Sequence, residues 1–297
     1  MTNHPRGGKT NTLGVDVGGS LIKMLRLAGD GSIEITRSFP LPSTAAEMMQ
    51  AVVEGASELR DQGTVAAGVG MAGLVRWPAG VFAWGPHLPG RDIAARHYLQ
   101  REWSLPVVVD NDVNCAALAE LEVGAATGVR HGVMITIGTG IGGGLIVDGR
   151  IYRGSSFAGE LGHMTMVPNG EPCDCGHRGC WETLVADATV QPFLKAARAG
   201  GVTANAKLNE VGRWLGRGLV NVIAILDPET IILGGGVIAA ASDLLLPVAI
   251  AEIGANLPGG GARPEVAVKV AAAGPWAGAL GAALLARGDL GEALADA

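Results

Sequence analysis

The side chains with the most distinctive chemistry are His163, Cys173, Cys175 and Cys180, which follow the spacing H-x9-C-x-C-x4-C. One imidazole and three thiolates make a tetrahedral ligand set that suits Zn²⁺, and four protein ligands leave no open position for water or substrate. We therefore expect a structural zinc knot. His177, inside the same loop, is a competing fourth ligand, and a fortuitous cluster of reduced thiols is the remaining alternative.

A glycine turn near the start of the chain has the composition of a phosphate-binding loop. In Asp16-Val-Gly18-Gly19-Ser20 the glycines lack a Cβ, so backbone N–H groups can approach phosphate oxygens closely. The Ser20 hydroxyl adds a donor, and the Asp16 carboxylate can hold the water shell of Mg²⁺. Taken alone, this turn is equally compatible with an ordinary tight hairpin.

A second glycine turn begins Gly138-Thr139-Gly140, ends at Gly143 and formally matches the dinucleotide fingerprint G-x-G-x-x-G. That fingerprint requires a helix directly after the glycines, whereas residues 145–149 continue as a strand and a hairpin. We therefore interpret it as a phosphate-facing β-turn. Two such turns, one in each lobe, can hold a triphosphate from opposite sides.

Polar side chains follow the short predicted strand at residues 107–109, in the run Asp110-Asn111-Asp112. Side chains at the carboxyl end of a strand suit a ligand crevice. A phosphoryl acceptor hydroxyl needs a carboxylate to take its proton, and Asp112 is the candidate for this general base. The alternative is that Asp112 and Asn114 only cap the helix that follows.

Two carboxylates flank the cysteine cluster. Glu160 precedes it in Gly159-Glu160-Leu-Gly-His163, and Glu182 follows it. A zinc knot would hold both in place, and carboxylates accept hydrogen bonds from sugar hydroxyls. Each glutamate taken singly is also compatible with a solvated surface position.

The run Gly234-Gly235-Gly236 follows an apolar strand. Glycines here let the backbone lie flat against a planar ring such as adenine. The alternative is a simple strand-to-helix turn.

The elements around these motifs predict an α/β fold with an internal duplication. A β-meander of strands at 12–27 and 32–39 recurs as strands at 133–137 and 144–147 around the second glycine turn, which favours two similar lobes sharing a cleft. The expected boundaries are a small N-terminal lobe at 1–120, onto which the C-terminal helix at about 284–297 packs back, and a large lobe with the zinc site at 121–283.

Composition excludes several classes of protein. The net charge is −6 and no long basic run is present, so nucleic-acid binding has little support. The opening segment lacks the apolar region of a secretory signal, and no apolar run continues uninterrupted for the length of a bilayer. We expect a soluble, cytoplasmic protein without a membrane partner.

Five motifs together resemble the ROK family of bacterial sugar kinases and repressors, and among its members the glucokinases most. The resemblance runs from about Leu13 to Ala286, and the His/Cys cluster is its most specific part. The motifs are Asp16-Val-Gly-Gly-Ser20, Asp110-Asn-Asp-Val-Asn-Cys-Ala-Ala-Leu-Ala-Glu120, Ile137-Gly-Thr-Gly-Ile-Gly-Gly-Gly144, Gly159-Glu-Leu-Gly-His163 and Cys173-Asp-Cys-Gly-His-Arg-Gly-Cys180-Trp-Glu182.

The resemblance implies an actin-like, ribonuclease-H-like two-lobe fold that closes over ATP and a hexose, most simply glucose. It implies Asp112 as the base, ATP with Mg²⁺ as donor, a structural Zn²⁺, and assembly as a homodimer or larger homo-oligomer. The implied sugar-binding residues are Gly73, Asn111, Asp112, Glu160, His163 and Glu182. The implied nucleotide-binding residues are Asp16, Gly18, Gly19, Ser20, Lys23, Gly138, Thr139, Gly140, Gly235 and Gly236.

Some positions depart from the common pattern of the family. Leu21 stands where many members have a polar or basic residue, and Lys23 is a possible substitute for it. His87 occupies a position where Asn is usual, and Arg91 replaces a usual Trp. These changes leave fructose, mannose, N-acetylmannosamine and N-acetylglucosamine as alternative substrates. Polyphosphate-using relatives look different because they lack the cysteine knot, which favours ATP as the donor.

Two rival functions come from other classes of protein. A sugar-responsive repressor of the same family needs an N-terminal helix-turn-helix, and too few residues precede the first predicted strand to form one. A zinc-stabilised sugar-binding regulator without turnover is the second rival, and the run Asn111-Asp112 argues against it.

Overall fold

The computed structural model describes residues 10–259 and 262–295. Twelve strands are found among these residues: β1 Asn11–Val17, β2 Leu21–Leu27, β3 Ile33–Pro40, β4 Thr64–Met71, β5 Leu74–Arg76, β6 Val81–Trp84, β7 Val107–Asn111, β8 Gly132–Ile137, β9 Ile141–Val147, β10 Arg150–Tyr152, β11 Thr230–Gly234 and β12 Ala267–Val270. The described α-helices are α1 Ala45–Leu59, α2 Ala95–Trp103, α3 Asp112–Val123, α4 Glu182–Val185, α5 Asp187–Arg198, α6 Val202–Leu226, α7 Gly236–Asn256 and α8 Ala277–Ala295, and a 3₁₀ turn covers Leu161–His163.

The chain forms two compact units. Among the described residues, unit 1 is made of 10–122, 153–157 and 273–295, and unit 2 is made of 123–152, 158–259 and 262–272. The boundary predicted from the sequence is at 120, and the predicted returning C-terminal helix begins at about 284. That prediction contains no separate 153–157 segment.

Each unit contains one five-stranded sheet, and the two sheets have the same topology. The strand order is β3-β2-β1-β4-β7 in unit 1 and β10-β9-β8-β11-β12 in unit 2. In both sheets a three-stranded antiparallel meander is followed by parallel strands, as in the pairs β1 with β4 and β8 with β11. The shared order supports the predicted internal duplication.

The core of unit 1 is formed by the sheet and the helices packed on it. Helix α1 begins at a capping box, where the Thr44 hydroxyl accepts a hydrogen bond from the Glu47 N–H at 3.2 Å. On α8, a Cβ at Gly281 would lie 1.6 Å from the Cys115 carbonyl oxygen. Only glycine allows α8 and α3 to approach this closely, so this contact fixes the position of the helix that carries Asp112.

The core of unit 2 lies between its sheet and the long helices α6 and α7. Trp181 is fully buried against α6, where a Cβ at Gly218 would lie 2.0 Å from its ring. By length and composition alone, α7 could span a membrane. Its residues Ile238, Ala241 and Leu245 are nevertheless buried in the core of unit 2, as expected for the core helix of a globular domain.

Candidate active site and metal centre

The end of β7 presents two aspartates in different surroundings. Asp110 is 1% exposed, and its Oδ1 atom accepts hydrogen bonds from the Asn111 N–H at 2.8 Å and the Asn114 Nδ2 at 3.0 Å. Asp112 is half-buried and is the first residue of α3. A Cβ at Gly70 would lie 3.1 Å from the Asp112 Cα, so Gly70 lets the start of α3 approach β4. Asp110 is therefore structural, and Asp112 is the accessible carboxylate of this pair.

Asn111 caps α3, which corrects the interpretation of Asp112 and Asn114 as caps. Its Oδ1 atom accepts from the N–H groups of Val113 at 2.8 Å and Asn114 at 3.0 Å. Only a side chain directly before the first helical residue can reach these two donors, so α3 begins at Asp112. The Asp112 carboxylate is not needed for the cap and lies at the positive end of the helix dipole.

Gly73 and Asn111, two of the predicted sugar-binding residues, are in contact. The Asn111 Nδ2 donates a hydrogen bond to the Gly73 carbonyl oxygen at 3.1 Å. Gly73 has φ +136°, and a Cβ there would lie 2.6 Å from the Trp84 carbonyl oxygen, so this position requires glycine. The loop after β4 is thereby fixed to the start of α3.

The first glycine turn connects β1 and β2, with the Gly18 N–H donating to the Leu21 carbonyl oxygen at 3.1 Å. Asp16 is half-buried on β1, and a Cβ at Gly278 in the first turn of α8 would lie 2.7 Å from its carboxylate. Burial raises the pKa of Asp16 to about 6, although the nearby Lys23 ammonium opposes the rise. The Lys23 Nζ also donates to the Pro275 carbonyl oxygen at 2.8 Å.

We expect Asp16→Asn to stabilise the protein at pH 7.5 in Mg²⁺-free buffer. The folded-state pKa lies above the ordinary value of 3.8, so the ionised carboxylate costs stability above pH 6 and this cost disappears as the pH falls towards 4. The expected gain at pH 7.5 is about 1–3 kcal/mol. Urea unfolding at pH 7.5 and pH 4.5 measures it, with the exposed Asp92→Asn as control. An equal effect at both pH values would contradict the role of burial.

The second glycine turn lies at the N-terminus of α7, within unit 2. A Cβ at Gly138 would lie 4.0 Å from the Gly236 nitrogen, and a Cβ at Gly235 would lie 2.4 Å from the Ile137 carbonyl oxygen. Gly235 has φ +87°, a conformation that favours glycine. Thr139 at the tip of the turn is exposed. A helix N-terminus beside a glycine turn presents backbone N–H groups that can bind phosphate.

Glu182 is a buried carboxylate at the start of α4. It is 8% exposed, its Oε2 atom accepts from the Ile141 N–H at 2.8 Å, and the Cys173 thiol lies 3.7 Å from Oε1. The sequence left a solvated surface position open for Glu182, and that alternative is wrong. The carboxylate links the glycine turn before β9 to the cysteine cluster.

Glu160 and His163 lie at the two ends of one short turn. The His163 Nε2 is 3.8 Å from a Glu160 carboxylate oxygen, and its Nδ1 is 3.7 Å from the Cys173 Sγ. Burial raises the pKa of the Glu160 carboxyl group. His163 lowers this pKa, and the negative charge of Glu182 raises it further. The two nitrogens of one imidazole therefore face different partners, a carboxylate on one side and a thiol on the other.

The predicted zinc ligands converge in unit 2. The ligand atoms of His163, Cys173, Cys175 and Cys180 all lie within 4.8 Å of one another. The Cys175 and Cys180 sulfurs are 3.7 Å apart, and a tetrahedral zinc with Zn–S bonds of about 2.3 Å requires about 3.8 Å between its sulfurs. His177 is exposed and lies outside this group of four, although its Nδ1 is 3.6 Å from the Cys175 Sγ. The residues present fit one tetrahedral metal ion.

The three thiols of the cluster differ in acidity. Burial opposes ionisation of Cys175, but hydrogen bonds from His177 and the other two cysteines outweigh it and lower its pKa to about 7. Burial raises the pKa of Cys173 to about 12. A site with one readily ionised thiol can begin to bind a cation, which then favours the thiolate form of the others.

The three positions expected to depart from the common pattern of the family all lie in unit 1. Leu21 is 44% exposed and carries no polar group to the first glycine turn. His87 packs on Gly19, where a Cβ would lie 2.8 Å from the His87 Cβ and 3.4 Å from its ring, and the His87 Nε2 is buried without a hydrogen-bond partner in the part of the chain that the structure describes. The Arg91 guanidinium lies 5.5 Å from the centre of the Trp84 ring.

One residue of this site was missed by sequence reasoning. The Arg153 guanidinium donates to the Asp110 Oδ2 through Nε at 2.8 Å and approaches it through Nη2 at 2.7 Å. It also lies 4.0 Å from the centre of the Trp77 ring. No local motif marks Arg153, because its partners lie far away in the chain.

Comparison with known proteins identifies the family. The model of the ROK family matches residues 12–289. A glucokinase from Streptomyces coelicolor is 33% identical over 311 residues, covering 93% of this chain and 97% of that protein. The chain belongs to the ROK family, and its similarity to the bacterial glucokinases confirms the resemblance read from the sequence.

Two solved structures support the same family assignment. A ROK family glucokinase from Streptomyces griseus, in complex with glucose and AMPPNP, is 33% identical with a TM-score of 0.84, covering 94% of this chain and 99% of its own. The ROK hexokinase from Thermus thermophilus is 31% identical with a TM-score of 0.80, covering 95% and 99%. The expectations of a two-lobe fold and of an ATP-dependent sugar kinase are confirmed by these relatives.

Proposed function

We propose that this chain transfers the γ-phosphoryl group of ATP to the 6-hydroxyl of glucose, with Asp112 as the general base. The observation that supports this most is the contrast at the end of β7. Asp110 is buried and paired with Arg153, whereas Asp112 is half-buried and is not used for the cap of α3. The glucokinase relatives support glucose as the acceptor.

The sugar is proposed to be held by hydroxyl-binding groups. Unit 1 offers the Gly73 loop and Asn111, whose hydrogen bond fixes their spacing. Unit 2 offers Glu160, His163 and Glu182, and their neighbouring positions support a common role. Carboxylates and an amide accept and donate hydrogen bonds with the directionality that sugar hydroxyls require.

ATP is proposed to be bound by the two glycine turns and the start of α7. Asp16 would hold Mg²⁺ through its water shell, and the Lys23 ammonium would add positive charge near the phosphates. Burial supports this role of Asp16, because its raised pKa favours a partner that compensates the charged form. The remaining proposed contacts are Gly18, Gly19, Ser20, Gly138, Thr139, Gly140, Gly235 and Gly236.

Catalysis by these residues would rest on position and charge. Phosphoryl transfer asks little covalent chemistry of the protein, so most of the rate comes from alignment and from stabilising charge on the transferred group. Asp112 would accept the proton of the attacking hydroxyl as the bond to phosphorus forms. Backbone N–H groups of the glycine turns would stabilise the developing negative charge.

The cysteine cluster is proposed to bind one structural Zn²⁺ through His163, Cys173, Cys175 and Cys180. Binding through Nδ1 would leave the His163 Nε2–H for Glu160 or for a sugar hydroxyl, so the metal would orient a sugar-binding residue. The Cys173 thiol also lies close to the Glu182 carboxylate, so the metal site would contact a second proposed sugar-binding residue.

ADP release measured over a panel of hexoses tests the proposed function. We expect turnover with ATP to be highest on glucose, with lower values of kcat/KM on fructose, mannose, N-acetylmannosamine and N-acetylglucosamine, and no comparable turnover with polyphosphate as the donor. ³¹P NMR of the product identifies the hydroxyl that is phosphorylated. ATP hydrolysis that no sugar stimulates, with sugar still bound, would replace the kinase proposal by the non-catalytic sugar-binding regulator.

A further inference from the structure

The 153–157 segment is a short piece of chain that belongs to unit 1, although the residues on both sides of it belong to unit 2. Its first residue, Arg153, follows directly after β10, and Gly159-Glu160 begins shortly after its last residue. This segment therefore lies in the chain between the meander of unit 2 and a proposed sugar-binding glutamate.

Two side chains fix the segment to unit 1. The Arg153 guanidinium, 16% exposed, stacks on Trp77 at 4.0 Å and donates to the Asp110 carboxylate, which is 2% exposed. The Ser156 Oγ accepts from the Trp77 N–H at 3.1 Å and donates to the Trp77 carbonyl oxygen at 3.2 Å. Ser156 has φ +107°, a conformation that serine rarely adopts, so this attachment holds a strained backbone.

The carboxylate that Arg153 binds organises the start of α3. Asp110 uses its other oxygen to accept from the Asn111 N–H and the Asn114 side chain. Asn111 in turn caps α3 and holds the Gly73 loop. A chain of direct contacts therefore leads from Arg153 through Asp110 to the residues on both sides of Asp112.

Arg153 also balances negative charge. Burial raises the pKa of the Cys115 thiol, the charges of Asp110, Asp16 and Asp112 raise it further, and Arg153 opposes them. Three carboxylates thus lie close enough to the buried Cys115 thiol to raise its pKa, and the positive charge of Arg153 lowers that pKa.

We propose that Arg153 is a positioning residue for Asp112: by pairing with Asp110 and stacking on Trp77, it fixes the start of α3 and compensates the negative charge beside the base. This inference rests on the proposed function, since it assigns Arg153 to the same phosphoryl transfer.

Arg153→Met is the direct test. The variant keeps much of the apolar stem but leaves Asp110 as an uncompensated buried carboxylate. We expect kcat on hexose to fall about 10- to 100-fold, because small misplacements of a reacting group have effects of this size, while KM for ATP stays within about threefold. Arg153→Lys keeps the charge but loses the forked contact, and we expect a smaller loss of kcat.

The pH profile of kcat separates positioning and charge from a merely structural effect. In Arg153→Met the uncompensated negative charge of Asp110 lies near the Asp112 carboxylate, and like charges disfavour ionisation, so we expect the acid limb of the profile to move to higher pH. In Asp110→Asn/Arg153→Met both charges are absent, and we expect the limb to return towards that of the wild type. The charges that act on the Cys115 thiol of α3 are those of Asp112 itself, Asp110 on β7, Asp16 on β1 and Arg153, and Lys23 on β2 acts on Asp16.

Arg76→Met is the matched control, because Arg76 forms an exposed ion pair with Asp92 at 2.7 Å in the same unit. We expect its kcat and pH profile to equal those of the wild type. A folded Arg153→Met with unchanged kcat and acid limb would overturn the inference. The inference would also be overturned if Arg153→Met and the double variant lost kcat equally and neither showed a shift in the acid limb of the pH profile.

The outcomes also separate this inference from the proposed function. If the wild type phosphorylates hexose, Asp112→Asn does not, and Arg153→Met behaves like the wild type, only the role of Arg153 is wrong. If Asp112→Asn keeps its turnover, the assignment of the base is wrong and the positioning role is lost with it. If Arg153→Met does not fold, the role of Arg153 is tested with Arg153→Lys and with the charge-neutral double variant, by measuring kcat and the acid limb of its pH profile.

Discussion

Asp112→Asn is expected to lower kcat for hexose phosphorylation by about 10²- to 10⁴-fold while the protein stays folded and still binds hexose. Asparagine has nearly the same shape as aspartate and is tolerated at the first position of α3, but it cannot accept the proton of the attacking hydroxyl. The cap of the helix is unaffected, because Asn111 provides it. Steady-state kinetics with calorimetric measurement of sugar binding gives both quantities.

The control for this variant is Asp92→Asn. Asp92 is an exposed aspartate of the same unit with φ +51°, a conformation that asparagine adopts readily. We expect its kinetic constants to equal those of the wild type. If Asp112→Asn kept a kcat within about threefold of the wild type, Asp112 could not be the base, because a general base contributes far more than this.

The second large effect concerns the metal. Protein purified without chelator is expected to contain about one Zn²⁺ per chain, and Cys175→Ala is expected to lose it, together with several kcal/mol of stability, or about 10 °C in the melting temperature. Cys175 is the best position to change because it is only half-buried, so its truncation leaves little cavity. Elemental analysis and thermal unfolding measure the two effects.

Cys115→Ala is the matched control for the metal experiment. Cys115 is buried in unit 1 and is not part of the cluster, so the same truncation there costs only packing, about 1 kcal/mol, and leaves the zinc content unchanged. We also expect Cys175→Ala to raise KM for the sugar, since His163 and Glu182 both contact the cluster. Wild-type protein without metal, or a Cys175→Ala variant as stable as Cys115→Ala, would rule out the zinc knot.

The local elements were predictable because the residues that specify each of them lie within a short stretch of the sequence. The glycine turns with alternating strands around them predicted β1, β2, β8 and β9 closely. The spacing of one histidine and three cysteines was sufficient to predict which four ligand atoms converge. In each case the residues that determine the geometry are close neighbours in the chain.

The start of α3 was predicted less well, for a physical reason. Asn111, Asp112 and Asn114 are all capping residue types, so composition cannot distinguish which one caps the helix. The choice depends on β7, which extends to Asn111 and brings its side chain in front of the first free N–H groups. The position of a helix end then depends on the strand before it as well as on local preference.

Long-range partners could not be predicted from spacing at all. Arg153 binds Asp110 across 43 positions of sequence, and Ser156 binds Trp77 across 79. Neither pair belongs to a motif, and both depend on the 153–157 segment returning to unit 1. Likewise, the burial of Glu182 follows from its contact with Ile141 on β9, which is 41 positions away.

The most direct test of the central claim is a single turnover. Wild-type protein in excess over γ-³²P-labelled ATP is mixed with glucose and Mg²⁺, quenched within milliseconds to seconds, and the label is followed from ATP to sugar. We predict that the wild type moves the label to the 6-hydroxyl of glucose and that Asp112→Asn, with glucose bound, does so at least a hundredfold more slowly. Equal transfer rates in the two proteins, or label that passes to water instead of to the sugar, would contradict the assignment of Asp112 as the base of a hexose kinase.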